Sequence, residues 1–179
     1  TADIDEKSIR RANPDELVMV LAEAKADAII SRIKSQGYVE RIDAPTLLIT
    51  SDIVCYSGGH VSTVGSVLVT NLKTGRRYGG LDKAEVYFHD IPDEIIENLI
   101  DEGVVFNVAG GLLLEHPLTL PFVEAVVSSL CKSIHSLAII SMWHSSFLVA
   151  VQVGTTDSVM GLAKALTEKL IREALLPDS

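Results

Sequence analysis

Apolar and polar positions alternate along the chain with two different periods. From Pro14 to Gln36 the spacing is helical, with Leu17, Leu21, Ala28 and Ile29 on one face. Asn13 suits the N-cap, Pro14 the first helical position, Glu16 completes a capping-box pattern and Gly37 is a natural stop. The run TLLITSDIV, Thr46 to Val54, is β-branched and apolar, and predicts a buried strand. Val61–Thr70 and Arg76–His89 read as two further strands joined by Asn71-Leu72-Lys73-Thr74-Gly75, a β-hairpin. A short helix is predicted over Pro92–Glu102, ended by Gly103, with Ile95, Ile96, Leu99 and Ile100 turned inward. Met160–Leu176 is a last amphipathic helix with Leu162, Ala165, Leu166, Leu170 and Ile171 as its stripe. This alternation predicts an α/β or α+β arrangement, a mixed sheet with flanking helices, in one domain spanning residues 1–179.

Composition narrows the function classes. The chain has 179 residues, of which 47% are hydrophobic and 22% charged, the balance of a globular domain. A formal net charge of −9 argues against affinity for a nucleic-acid backbone, which calls for a basic patch, but not against a nucleotide, which needs only a few local cations or a metal. The longest apolar stretch, Leu137 to Val151, is interrupted by His144, Ser145 and Ser146, so no membrane span is expected. Cys55 and Cys131 form no CxxC or Cys/His spacing, which leaves neither a zinc site nor a disulfide framework. Together with the lack of a signal-peptide pattern, this favours a reducing, cytoplasmic compartment.

Two residues stand out against this background. Lys25 lies four residues after Leu21 and four before Ile29, on the apolar face of its helix. Such a lysine either snorkels to the edge of the core or carries its charge to a ligand. Asp52 lies near the C-terminal end of the predicted strand, where α/β folds place ligands but where an aspartate also caps turns. Val108-Ala109-Gly110-Gly111 is a tight backbone feature without the spacing of a phosphate loop, and Glu115 follows three leucines at the rim of an apolar layer. The Arg76-Arg77 pair at the hairpin end suits a phosphate, although charges at hairpin ends are usually just solvated.

Seven segments supply what periodicity leaves open. TADIDEKSIR, ELVMVLAEAKADAI, LLITSD, YSGGHVSTVGSVLVTNLKTG, DKAEVYFHDIPDEIIENLI, VAGGLLLEHPL and GTTDSVMGLAKALTEKLI resemble successive blocks of the Maf-like nucleoside triphosphate pyrophosphatases, in the family's order and closest to its plant members. The resemblance implies a fold like that of the inosine triphosphate pyrophosphatases, two lobes around a cleft. It also implies cleavage of (d)NTPs, pyrimidine or modified nucleotides among them, to a monophosphate and pyrophosphate. A divalent cation, Mg²⁺ or Mn²⁺, is the implied cofactor, and a homodimer the implied assembly. Carried over residue by residue, Asp52 becomes the catalytic base or partner of a metal-bound water, Lys25 the helical lysine that reaches the phosphates, and Glu6 the acidic residue near metal and phosphates. Ile53 stands where the family usually has a polar residue that helps to set substrate choice. Glu115 takes the position that reads the base, and Asp157 lies in the block before the last helix.

The sequence also departs from the family's pattern. The family's Ser-rich loop with paired arginines has no counterpart here; Arg10-Arg11 follows the Asp5-Glu6 pair instead of preceding it. SDIVC runs directly into YSGGH, where the family has a loop with a second phosphate-binding lysine and then a helix. Loss of two cationic elements is expected to impair catalysis, since each preorganised electrostatic contact contributes on the order of a hundredfold in rate. Ala163 replaces a proline, with little expected effect. Finally, the segment at about 127–152 matches nothing in the family. Its removal joins Val126 to Val153 and restores EAVVGTTDSVMGL. Val127-Ser128 can be encoded GTA AGT and Val151-Gln152 GTG CAG, donor-like and acceptor-like, so the insertion reads as a translated, retained intron.

Overall fold

The computed structural model describes residues 2–37, 45–57, 60–108, 111, 113–128, 151–153, 159 and 162–176. The chain is mixed α/β. Its elements are a 3-10 turn at Glu6–Ser8, helix α1 (Pro14–Ser35), strands β1 (Leu47–Ser57), β2 (Val61–Asn71) and β3 (Arg77–Phe88), helix α2 (Asp93–Glu102), strands β4 (Val123–Ser128) and β5 (Val151–Val153), and helix α3 (Lys164–Leu175). The five strands form one sheet in the order β1-β2-β3-β4-β5. Two compact units divide it: the first comprises Thr1–Ile53, Val64–Asp82 and Asp157–Ser179, the second Val54–Thr63 and Lys83–Thr156.

In the first unit a helix covers each face of the sheet. β2 is buried from Ser62 onward, as a strand covered on both sides must be. Alternation sends Val67 and Val69 to α3, where they meet Leu166, Leu170 and Ala174, and sends Leu68 to α1, where it meets Ala22 and Ala26. Each fully buried leucine contributes about 1.5–3 kcal/mol. The buried line of α1 is Val18, Leu21, Ala22 and Ala26. The expected face through Leu17, Ala28 and Ile29 is therefore rotated, and those three residues are only half-buried. The small Ala22 and Ala26 let the helix lie close enough for sheet hydroxyls to reach its backbone. Thr50 Oγ1 donates to the Ala22 carbonyl at 2.8 Å, and Ser66 Oγ donates to that of Val18 at 2.8 Å.

The predicted hairpin closes as expected, with the Asn71 and Gly75 amides donating to the Arg76 and Asn71 carbonyls at 2.9 and 2.8 Å. Gly75 has φ +74°, a left-handed conformation that its lack of a Cβ permits. The Asn71 side chain serves two elements. Its Oδ1 accepts the Lys73 and Thr74 amides, and its Nδ2 donates to the Ala174 carbonyl at the end of α3. That helix begins at Lys164, later than the Met160 of the sequence reading; Met160 lies outside the described residues. Leu162 is 41% exposed and Ala165 is exposed, so the working stripe is Leu166, Leu170 and Ala174, with Ile171 half-buried.

In the second unit β3 pairs antiparallel with β4, placing Val86 opposite Val126, and β4 pairs parallel with β5, placing Val126 opposite Gln152. Both ends of the expected insertion thus lie in the sheet, and residues 129–150 between them lie outside the described residues. A connection of that length meets the requirement of a parallel pair, which a tight turn cannot join. α2 departs from expectation: it buries no residue, and Ile96 and Ile100 are 43% and 48% exposed. Only Ile95 and Leu99 are half-covered, because the side of α2 that carries Ile96 and Ile100 has too little packed against it. Among the described residues no helix is long and apolar enough to cross a membrane.

Candidate functional site

Three ionic side chains from three separate elements meet in the first unit. Lys25 Nζ lies 2.8 Å from Asp52 Oδ2 and 3.1 Å from Glu6 Oε1. Local structure puts each of them there. Lys25 follows Ala22 by three residues on α1, beside the line that packs on the sheet, so its stem starts at the edge of the helix–sheet contact. Asp52 follows Leu48 and Thr50 at two-residue spacing, on the face of β1 that Thr50 ties to α1. Glu6 is carried in by the 3-10 turn that precedes the helix.

Asp52 is not at the end of its strand. β1 runs on to Ser57, through the Cys55-Tyr56 junction, because Ile53, Val54, Cys55 and Tyr56 continue its β-prone run. The carboxylate is accordingly held on both sides: Oδ1 accepts the Ile53 amide at 2.8 Å and Oδ2 accepts from Lys25. Its side chain is 12% exposed, that of Lys25 20%, and that of Glu6 51%. Desolvation works against the charged form of Lys25, but the hydrogen bonds and charges of Asp52 and Glu6 outweigh it and hold the ammonium above its usual range. The lysine therefore neither snorkels to bulk water nor sits as an isolated charge; it closes a carboxylate–ammonium–carboxylate bridge.

The other expected site residues are distributed differently. Ile53 contributes its backbone amide to Asp52, and its side chain is half-buried. Glu115 belongs to the second unit, exposed in a turn. Asp157 lies outside the described residues. Arg77 of the hairpin pairs with Asp27 on α1, so this charge has a structural partner. The sequence reading passed over Thr50 and Ser66, whose hydroxyls fix α1 against the sheet. Alternation was the available signal, since Thr50 shares a face with Asp52. It also passed over Asp82, which is 1% exposed within β3.

Glu6 and Asp52 offer hard oxygen donors, the type that binds Mg²⁺ or Mn²⁺, and Mg²⁺ is commonly held by one or two carboxylates with substrate phosphates completing its shell. The pair fits such an ion as a partial site. Among the described residues no group of three or more His, Cys, Asp or Glu converges as a complete metal cage.

No family model matches the chain. A curated 7-methyl-GTP pyrophosphatase from Dictyostelium discoideum is 28% identical over 193 residues, covering 96% of this chain and 83% of the relative. That similarity runs through nearly the whole length of the chain, and the seven blocks that resemble the Maf-like family stand in order along it.

Proposed function

We propose that this protein is a nucleoside triphosphate pyrophosphatase that takes modified or pyrimidine nucleotides. The observation that carries the reading is the meeting of Lys25, Asp52 and Glu6 at one place, an acid–base and charge-neutralising set built from three elements. Water adds to the α phosphorus, the bond from the α phosphorus to the bridging oxygen breaks, and monophosphate and pyrophosphate leave. Asp52 takes the proton that the water loses; a positioned general base of this kind contributes about 10²–10⁴-fold. The Ile53 amide holds its orientation through Oδ1. Lys25 binds phosphate oxygens, and Glu6 and Asp52 would hold a divalent cation, which would supply charge neutralisation on the phosphates.

The relative's name makes 7-methyl-GTP the first substrate to assay, beside UTP, CTP and dTTP, each with Mg²⁺ or Mn²⁺. The reading expects pyrophosphate release, reduced at least about a hundredfold in Asp52→Asn, which keeps the shape and removes the base. Undiminished release by that variant rejects the assignment. One observation favours a second reading, a member that binds nucleotide without turning it over: β1 continues unbroken to Ser57, where the family places its loop with a second lysine. Calorimetric binding of a triphosphate with no pyrophosphate released from any substrate would select it.

A further inference from the structure

We propose that Lys25 is a tethered counter-cation that keeps the Glu6–Asp52 pair closed to divalent metal until a triphosphate draws it away. The inference rests on the pyrophosphatase reading for the roles of the two carboxylates. Its basis is the position of Nζ, 3.1 Å from Glu6 Oε1 and 2.8 Å from Asp52 Oδ2. The ammonium occupies the place a shared cation takes, and it cancels one of the two negative charges that would attract one. The two oxygens stand at most about 6 Å apart, the sum of those contacts. A shared Mg²⁺ needs each at about 2.0–2.1 Å, so the oxygens must draw together once Nζ leaves. The mechanical roles differ. Asp52 sits in a strand with Oδ1 fastened to the Ile53 amide, so it stays. Glu6 is half exposed on a three-residue turn, so it moves. Lys25 carries its charge on a flexible four-carbon stem and swings without disturbing α1. A triphosphate carries more negative charge than the two carboxylates together and wins the ammonium. Metal and nucleotide then bind with positive coupling, and the coupling is reciprocal.

The test is Mn²⁺ affinity without turnover, read on the full chain from the EPR signal of the free ion. An opposite charge beside a carboxylate shifts its affinity for a proton by about 10–10³-fold, and the same field acts on a metal. Lys25→Met, and Lys25→Ala as a second variant, are therefore expected to bind Mn²⁺ at least about tenfold tighter than wild type in the absence of nucleotide. Glu6→Gln added to Lys25→Met is expected to remove the gain. Unchanged or weaker Mn²⁺ binding in a folded Lys25 variant overturns the proposal. The wild-type protein gives an independent readout. A non-hydrolysable α,β-methylene triphosphate is expected to tighten its Mn²⁺ binding beyond the affinity of the free Mn²⁺–nucleotide complex, and equal affinity overturns the proposal whether or not a variant folds. Neither readout involves pyrophosphate. Mn²⁺ gain in the Lys25 variants with no turnover by the wild-type protein leaves the gate standing and sinks the pyrophosphatase reading; wild-type turnover with no Mn²⁺ gain in the variants does the reverse.

Discussion

Gly79 and Gly80 are neighbours in β3 and point to opposite faces of the sheet, so alanine at each asks a different helix to make room. A Cβ on Gly79 would come 2.7 Å from Met19 Cε, and one on Gly80 would come 2.7 Å from Leu166 Cδ1. The distances are equal, but the neighbours are not. Met19 is half-buried, and its unbranched thioether chain has three rotatable bonds, so its terminal methyl can turn aside. Leu166 is 7% exposed in the cluster of Val67, Val69 and Leu170, and two more of its atoms lie within 3.5 Å of the new Cβ. Replacing glycine by alanine also removes freedom from the unfolded chain, a gain of about 0.4–1 kcal/mol. For Gly79→Ala the small cost of moving Met19 cancels this gain, and stability stays within about 0.5 kcal/mol of wild type. For Gly80→Ala overpacking costs about 1–3 kcal/mol and dominates. In a chain of this size each kcal/mol moves Tm by about 2–4 °C, so differential scanning fluorimetry of the two variants separates them. Equal losses, or Gly79→Ala as the less stable of the two, would refute the reasoning.

Other expectations are read separately. Asn71→Ala forfeits three side-chain hydrogen bonds and is expected to cost about 2–3 kcal/mol in urea denaturation; Asn71→Asp keeps the two turn bonds and is expected to recover part of it. Burial pushes the Cys55 thiol above its ordinary 9.0, so the half-maximal rate of its alkylation, followed by mass spectrometry of its peptide, falls above that pH. The sign for stability follows: the folded state keeps the proton longer, and this contribution is lost as pH rises past the unfolded value. Excision of the 26 residues from Val127 to Gln152 is expected to leave a folded chain with Tm no lower than the parent's, and failure to fold would show that the segment is integral. Genomic sequence is a second check, since an uninterrupted exon without the splice-site codons ends the intron reading.

Much of the first unit was legible because its elements carry their own punctuation. Asn13, Pro14 and Gly37 bracket α1, and Asn71 to Gly75 fix the hairpin, so both were found within a residue or so. The rotation of α1 was not legible. Leu17 and Ile29 are more apolar than Ala22 and Ala26, but close approach to a sheet selects for small size, which a hydropathy pattern undervalues. The inward face assigned to α2 failed for the complementary reason: Ile96 and Ile100 have the right chemistry but too little around them to cover them. Lys25 and Asp52 could be singled out one at a time, whereas their contact, 27 positions apart, depends on how α1 crosses β1. Glu6 came only from resemblance, since one acid in an acidic chain gives no signal of its own. The strand's continuation through Cys55 and Tyr56 was written in its β-prone residues, beyond Val54, where the apolar run of the sequence reading ends.

The Asn71–Ala174 bond spans 103 positions, and it marks when the protein can finish folding. During synthesis at about 5–20 residues per second, α1 and the β2–β3 hairpin leave the ribosome well before α3. Until Leu166, Leu170 and Ala174 arrive, Val67 and Val69 face water on a strand that will end buried on both sides. The nascent chain therefore passes through an interval with one finished face and one sticky face, the condition in which chaperones capture sheets and neighbouring polysomal chains misassociate. A ribosome stalled before residue 164 would hold that state, and one stalled far enough past residue 175 for α3 to clear the exit tunnel would release it.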